Sequence, residues 1–544
     1  MSSCDNSAHL IIGPAILSPT SNTTLSSASL SNNMLRAAAI PLLIAGLVVA
    51  VFFVWEGRVG LSLADEGYLW YGAQRTLLGE VPIRDFMAYD PGRYYWCAAF
   101  LSVLGNSGIM AVRISVAVFA GLGVACGLGV LRGGARQVGL LQSGVAAVVL
   151  VIWMFPRHKL FDITISLALV GALYLLLSRT SRVRYLLLGI AAGLAAVLGR
   201  NHGVYGVAGS ALGFGYLLLA REDRHTLLSG FPLWVLGVLI GYLPVLAMLI
   251  AVPGFSSAFW QDVLFLFHIK TTNLTLPVPW PWNISLSGVG LIWTLRDILV
   301  GCAFLALLVL GCLALLYLAY GRARRQAFPP GLVASACFIL PYAHYAFSRA
   351  DVGHLALGIY PLLLFLLICI ARLRPVWNRI ALTAMLGVSA LIMLPVHPGW
   401  QCRSATCPEV SVGGDKLIVD QGIASDLALL QKLVHDFAPH GESFVATPFW
   451  PAAYAIVGRA SPVWEIYALS PYRSPEFERS EIERIRAASP DFVIVVDTPL
   501  DGRDDLRFHN THPLMARYFS EHFARVSGYT NNPDYWIYKK SAIN

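Results

Sequence analysis

Apolar residues recur along this chain in long blocks separated by short charged or aromatic stretches, the pattern of successive membrane-crossing helices. Because a helix needs roughly 20 apolar residues to cross the hydrocarbon core, the blocks predict about eleven spans. They fall near 36–55, 109–131, 138–155, 161–178, 185–200, 203–220, 231–251, 297–320, 330–347, 353–371 and 379–396. After Val396 the pattern changes. Ile423, Leu427, Leu430, Val434 and Phe437 keep helical spacing, 443–446 reads as extended, 476–487 as helix, 491–497 as a buried strand and 535–538 as a last extended segment. The fold class is therefore a polytopic α-helical membrane protein with a C-terminal extracytoplasmic α/β domain. Its expected divisions are a disordered tail over 1–33, a membrane domain over 34–396 whose first external loop is 56–108, and the α/β domain over 397–544.

Between the first two spans the periodicity is shorter and more aromatic. Residues 66–78 place Leu69, Ala73 and Leu77 on one stripe, and 91–104 carries Tyr94, Tyr95 and Trp96. Neither is a comfortable span, and aromatic residues favour the membrane interface, so two helices lying along the outer surface are expected.

Composition supports the membrane assignment: of 544 residues 56% are hydrophobic and 13% charged, with a mean hydropathy of +0.63. The net charge of +8 does not point to nucleic acid, because the cations fall in short clusters between apolar blocks. Arg132 and Arg136; Arg179, Arg182 and Arg184; Arg221 and Arg224; Arg322, Arg324 and Arg325; and Arg372, Arg374 and Arg379 alternate with loops poorer in clustered cations. By the positive-inside rule they mark the cytoplasmic side, leaving the N-terminus cytoplasmic and the C-terminal domain outside. The tail, rich in Ser, Asn and Thr, has no signal-peptide pattern, and Met34 directly before the first block is an alternative start. Most of the nine cysteines lie in apolar blocks; Cys402 and Cys407, outside them, can close a small disulfide or stay as two thiols.

The chemistry concentrates in the first external loop, which gathers Asp65, Glu66, Asp85 and Asp90 beside Arg93. An Asp-Glu pair at the head of an interfacial helix, then Gly79-x-x-Pro82-x-x-Asp85 and a second interfacial helix, resembles the first loop of the GT-C superfamily of polyprenyl-phosphate-dependent glycosyltransferases. The pattern is similar to the protein O-mannosyltransferase and aminoarabinose-transferase branch. A weaker likeness covers Ser348 to His354. The chain departs from the related motif at Asp90-Pro91-Gly92, where His-Pro-Pro often stands.

The resemblance implies an inverting glycosyltransferase of a cell envelope, in a bacterial inner membrane. A polyprenyl-phosphate-linked sugar enters from the membrane lipids, and an envelope acceptor (lipid, glycan or protein) attacks it on the outer face. Asp65 would be the general base and Glu66 would orient the acceptor or a cation. A poor hydroxyl nucleophile gains from a positioned carboxylate, and a departing phosphate needs charge neutralisation more than a proton. Arg349 and His354, with Arg93, Arg200 and Lys159, are the candidate cations for that phosphate. Asp85, Asp90 and Asp351 are candidates for the acceptor or a divalent cation, although no spacing demands a metal. The competing readings are helix capping for Asp65, Glu66 and Asp90, turn chemistry for Asp85, and headgroup anchoring for the cations, Arg157 included. His268 and Lys270, and the indoles of Trp280 and Trp282, are further candidates near an opening. A transporter or flippase would explain the spans but would concentrate its polar residues at mid-membrane in broken helices with a repeat between halves, a pattern not clear here. A polysaccharide polymerase or ligase for lipid-linked glycans also works externally, but its usual large late external loop rich in arginine and histidine is not matched by the short Arg349 loop.

Overall fold

The computed structural model describes residues 27–135, 138–219, 224–270, 274–285, 290–403, 407–468, 471 and 473–541. Arg136 and Arg221, like the first 26 residues of the expected tail, lie outside them. Residues from Pro41 onward form one compact unit, which holds everything below. Its helices follow the order α1 (Ser27–Glu56, begun before Pro41), α2 (Asp65–Leu77), α3 (Pro91–Leu104), α4 (Ile109–Gly134), α5 (Leu140–Ile152), α6 (Leu160–Ser178), α7 (Arg182–Leu198), α8 (Arg200–Leu218), α9 (Arg224–Ala251), α10 (Phe255–Ile269), α11 (Leu291–Ala323), α12 (Pro330–Ser348), α13 (Val352–Gly358), α14 (Tyr360–Ala371) and α15 (Pro375–Met393).

Helices stand at all the expected places, but fewer than eleven are spans. Seven described helices are long and apolar enough, and α13 with α14, bent by 60°, would make an eighth. The shortfall has a physical cause. Helix α5 has 13 residues and α7 has 17, while α8 begins on Arg200, Asn201 and His202 and is interrupted by glycines. These shorter helices are held by neighbours rather than by length in lipid. Gly189 and Gly193 of α7 face Gly237 and Gly241 of α9. A Cβ at any of the four would press into a carbonyl oxygen of the opposite helix, so the two backbones touch through small residues.

Beyond α15 the chain forms a short α16 (Pro398–Gln401), closed by a Cys402–Cys407 disulfide, then a hairpin of β1 (Glu409–Val412) and β2 (Asp415–Ile418). Helix α17 (Gln421–Phe437), capped by Asp420, carries the predicted apolar stripe. A four-stranded sheet follows in the order β3-β4-β6-β5, with β3 (Phe444–Thr447) parallel to β4 (Phe492–Val496) and β6 (Tyr535–Lys540) antiparallel to both β4 and β5 (Phe523–Val526). Helices α18 (Pro451–Val457), α19 (Pro475–Ala488), α20 (Phe508–Thr511) and α21 (Pro513–His522) complete it. Strand β4 is buried throughout, as its unbroken apolar run requires.

This domain rests on the first loop and changes its character. Ile418 exchanges backbone hydrogen bonds with Arg58 and Gly60 at 2.9 and 2.7 Å, and the Asp415 carboxylate caps α4 by accepting from the Met110 N–H at 2.9 Å. Helix α2 is correspondingly not a surface helix. Tyr68, Leu69, Trp70, Tyr71 and Ala73 are all buried, and Gly67 lies so close to Ala452 of α18 that no side chain would fit. A helix with aromatic residues on both sides of its stripe has a second partner, here the C-terminal domain.

Gly193→Leu is expected to cost about 1–3 kcal/mol or more by overpacking and to lower the thermal unfolding midpoint in detergent. Gly215→Leu in α8, where a new Cβ meets open space, should leave the midpoint within error.

Candidate functional site

The chain leaving α1 is fixed by buried polar contacts before it reaches Asp65. Arg157 donates to the Glu56 and Val59 carbonyls at 3.1 and 2.8 Å; Arg113, from the first turns of α4, donates to those of Gly57 and Gly60 at 2.8 and 2.7 Å. Arg113 then grips Glu66 with Nε and one terminal nitrogen, at 2.6 and 2.8 Å. Arg157 stands 3.7 Å from the same carboxylate. Burial opposes the charge on Glu66, but Arg113 and Arg157 outweigh it and hold the carboxyl at about 2. Glu66 is thus an internal counter-ion whose oxygens are already taken, which leaves it little to offer an acceptor or a cation.

Its neighbour is disposed differently. Asp65 is the first residue of α2, and its side chain makes no cap; its N–H donates to Ser62 Oγ at 2.9 Å. The carboxylate is 47% exposed, against 6% for Glu66. It accepts from the Tyr467 hydroxyl at 2.9 Å and faces His158 Nε2 at 4.0 Å. That nitrogen is buried without a hydrogen-bond partner. Burial works against ionisation of Asp65, yet His158, Lys159, the Tyr467 hydroxyl and His354 keep its carboxyl below the ordinary aspartate value.

Two openings meet here. A cavity of about 450 Å³ is lined by Asp65, Glu66, Arg157 and His158 from the membrane side and by the Cys402–Cys407 disulfide, Asp420 and Gln421 from the other. An almost wholly apolar groove runs between α1 and α4 past Val49, Phe53 and Val116 and ends on Glu66, Arg113, Arg157 and His158. Glu66, Arg157 and His158 belong to both.

On the far side of Asp65 stands the turn before α13. Asp351 accepts from His354 twice, from the backbone N–H at 2.8 Å and from Nδ1 at 3.0 Å. His354 Nε2 is left buried and unpartnered. Burial opposes the charge on Asp351, but His354 and Arg349 hold it at about 2. Arg349 bonds Asp351 at 2.7 Å and both oxygens of Asp501 at 2.6 and 2.9 Å, so its charge ties the C-terminal domain to the membrane domain. Lys159 acts electrostatically on both Asp65 and His354 and makes no ion pair among the described residues.

The other candidates are drawn into pairs elsewhere. Arg93 is buried, bonding Asp162 at 2.9 Å and the Leu198 carbonyl. Asp162 also receives His202 Nε2 and the Tyr345 hydroxyl, each at 2.8 Å. Arg200 joins Asp90 at 2.7 Å and Asp262 at 2.6 Å. Asp85 is held by Arg84 and by the Val81 N–H, as a turn residue. His268 lines a separate cleft of about 400 Å³ with Asp262, Trp464 and Arg473. Trp280 and Trp282 stack on one another at 5.4 Å, and Lys270 ends α10 in a left-handed conformation.

Among the described residues no three His, Cys, Asp or Glu side chains gather as metal ligands. The acids proposed for a cation, Glu66, Asp85, Asp90 and Asp351, are each paired with a basic side chain. Sequence reading passed over Arg113, Asp162, Tyr467 and Asp501. The first two carried a usable signal, a lone charge inside an apolar block. Tyr467 and Asp501 carried none, because their partners lie 402 and 152 residues away.

Glu66 generates a pH prediction. Its folded value lies below the ordinary 4.5, so its stabilisation is full above pH 4.5 and is lost as pH falls towards 2. Glu66→Ala should cost about 3–5 kcal/mol, since it strands a buried Arg113. It should also flatten the acid-side fall in unfolding midpoint, measured in detergent between pH 6 and 3.

The architecture has counterparts among solved structures. ArnT from Cupriavidus metallidurans bound to undecaprenyl phosphate aligns with a TM-score of 0.56 at 12% identity, over 92% of this chain and 98% of that one. The same protein in the apo state gives 0.53 at 13%, over 94% and 99%. The apo oligosaccharyltransferase of Archaeoglobus fulgidus gives 0.50 at 13%, over 92% of this chain and 74% of that one. No protein-family model matches the sequence, and no curated protein does. At such identities the likeness is one of fold: the chain shares the membrane architecture of these structures.

Proposed function

We propose that this protein is an inverting glycosyltransferase that moves a sugar from a polyprenyl-phosphate donor to a hydroxyl of an envelope acceptor, with Asp65 as the base. The observation that carries the reading is the meeting of two unlike spaces at one set of residues. An apolar pocket of about 60 Å³ between α1 and α4 suits the first carbons of a prenyl chain, the polar cavity suits a sugar and its acceptor, and both are lined by Glu66, Arg157 and His158. A solved protein of the same fold, ArnT, was captured with undecaprenyl phosphate.

The reaction follows from what each side chain has left to give. The acceptor hydroxyl passes its proton to the exposed Asp65 carboxylate, which Tyr467 orients. The oxygen's electron pair bonds to the anomeric carbon as the bond from that carbon to the phosphate oxygen breaks, and the electron pair of that bond leaves on the phosphate. The charge arriving there meets Lys159, which makes no ion pair among the described residues, and His158 Nε2 in its N–H tautomer. His354 gives its Nδ1 proton to Asp351, so its Nε2 is an acceptor for a substrate hydroxyl. Arg349, Arg93 and Arg200 hold carboxylates already and shape the site instead. By the positive-inside rule the Asp65 cavity and the C-terminal domain face away from the cytoplasm of a bacterial inner membrane.

Asp65→Asn should abolish transfer of radiolabelled sugar from a panel of polyprenyl-phosphate sugars to envelope material while leaving donor binding unchanged. Equal transfer by mutant and wild type removes Asp65 as the base. Since the Asp65 carboxyl lies below its ordinary 3.8, the acid limb of activity it governs should fall below pH 4. Lys159→Ala should lower kcat by about a hundredfold to a thousandfold, as loss of one charge-stabilising contact does, in single-turnover assays with saturating donor.

A further inference from the structure

The cleft beside α10 takes no part in the chemistry at Asp65. It holds about 400 Å³ between α10 and the C-terminal domain, within the range of pockets that enclose small organic ligands. Ala258, Gln261, Asp262, Phe265 and His268 recur every three or four residues, so one face of α10 turns into the cleft. A separate stripe of the same helix, Trp260, Leu264 and Phe267, is exposed and apolar, as suits the membrane interface. Trp464, Arg473 and Phe477 form the far wall.

The aromatic part of the lining is held in place before any ligand arrives. Trp464 donates its indole N–H to the Ile83 carbonyl at 2.9 Å, and its own carbonyl accepts from the Met87 N–H at 2.8 Å, so the residue is pinned to the first external loop. Phe477 stands edge-on to it at 6.1 Å. Arg473 fills the space among Phe265, Phe477 and Trp464, at 4.0, 4.4 and 5.5 Å from their ring centroids. The charges around these rings cancel locally. Arg84 pairs with Asp85 at 2.7 Å, Asp262 with Arg200 at 2.6 Å, Arg473 with Glu465 at 2.7 Å and Arg484 with Glu481 at 3.2 Å. The neighbouring residues outside the described set, 271–273, 469, 470 and 472, include no Asp, Glu, Lys or Arg. A guanidinium paired in this way still has N–H groups to donate but no net charge to offer, and the exposed Gln261, Ser474 and Ser480 add neutral donors and acceptors.

We infer that this cleft binds a neutral saccharide and holds a unit of the acceptor glycan away from the hydroxyl that reacts, the acceptor role resting on the transferase reading above. The C–H face of a pyranose lies on the aromatic rings, while its hydroxyls meet Gln261, Ser480 and the paired guanidinium groups. The cleft and Asp65 share a wall. Trp464 stands three residues before Tyr467, which bonds Asp65, so their backbones are at most roughly 11 Å apart, within the reach of a short oligosaccharide. An aromatic surface already pinned loses little freedom on binding, which separates a built site from general surface adhesion.

The test uses the full-length protein in neutral detergent, with binding of maltohexaose, cellohexaose, mannohexaose and the acidic hexagalacturonate read by calorimetry. At least one neutral hexasaccharide should bind, and at least tenfold more tightly than hexagalacturonate. Phe477→Ala should weaken that binding about tenfold and Gln261→Ala about fivefold, while Arg479→Ala, in the same helix as Phe477 but outside the cleft, should leave it unchanged. Asp65→Asn should bind the saccharide as wild type does, so a failure of the transferase reading leaves this measurement standing. Absence of binding by every neutral probe at millimolar concentration overturns the proposal, as does binding of hexagalacturonate as tight as that of the neutral probes, or wild-type binding by both cleft variants. In the transfer assay Gln261→Ala should raise the acceptor KM and leave kcat unchanged; an unchanged KM overturns the acceptor role. Should Phe477→Ala fail to fold, the exposed Gln261→Ala decides alone.

Discussion

The Asp65 end of the molecule depends on one buried ion pair. Glu66 and Arg113 meet with both carboxylate oxygens engaged, and Arg113 also donates to the Gly57 and Gly60 carbonyls. One guanidinium thus fixes the exit of α1, the start of α2 and the start of α4 together. Charges taken out of water require such full pairing, since either partner alone would be strongly destabilising. The consequence for function is positional: Asp65, next in sequence to a carboxylate that cannot move, is presented to the cavity at a fixed height.

The two carboxylates of the Asp-Glu pair therefore divide their labour by environment. Glu66 turns inward to arginine, while Asp65 turns towards open space, a tyrosine hydroxyl and an imidazole that has no other partner. The same division recurs among the cations. Arg93, Arg200 and Arg349 are neutralised by carboxylates and act as struts, while Lys159 and the two histidines keep unspent capacity beside Asp65. What a residue offers a substrate is what its neighbours have left unused.

The C-terminal domain contributes to this as much as the spans do. It covers α2 through α18, caps α4 through Asp415, anchors Arg349 through Asp501 and orients Asp65 through Tyr467. The cavity has walls from both parts. Substitutions on the domain side of these contacts act on the site without lying in it.

The sequence by itself determined the membrane character, the places of the long apolar helices, and part of the α/β domain, namely α17, α19, β3, β4 and β6. These follow from hydrophobic periodicity and local propensity, which act over a few residues. It read the α10 segment as part of an external loop. It overcounted the spans, because a block such as 185–200 reads as apolar whether it crosses lipid or leans through glycines on α9. It read α2 as a surface helix, because the covering domain lies nearly 400 residues on. It nominated arginines for the phosphate that tertiary contacts had already paired with Asp162, Asp262 and Asp501. Charge type is written locally, but whether a charge is spent or free is decided only by which distant carboxylate the fold brings to it.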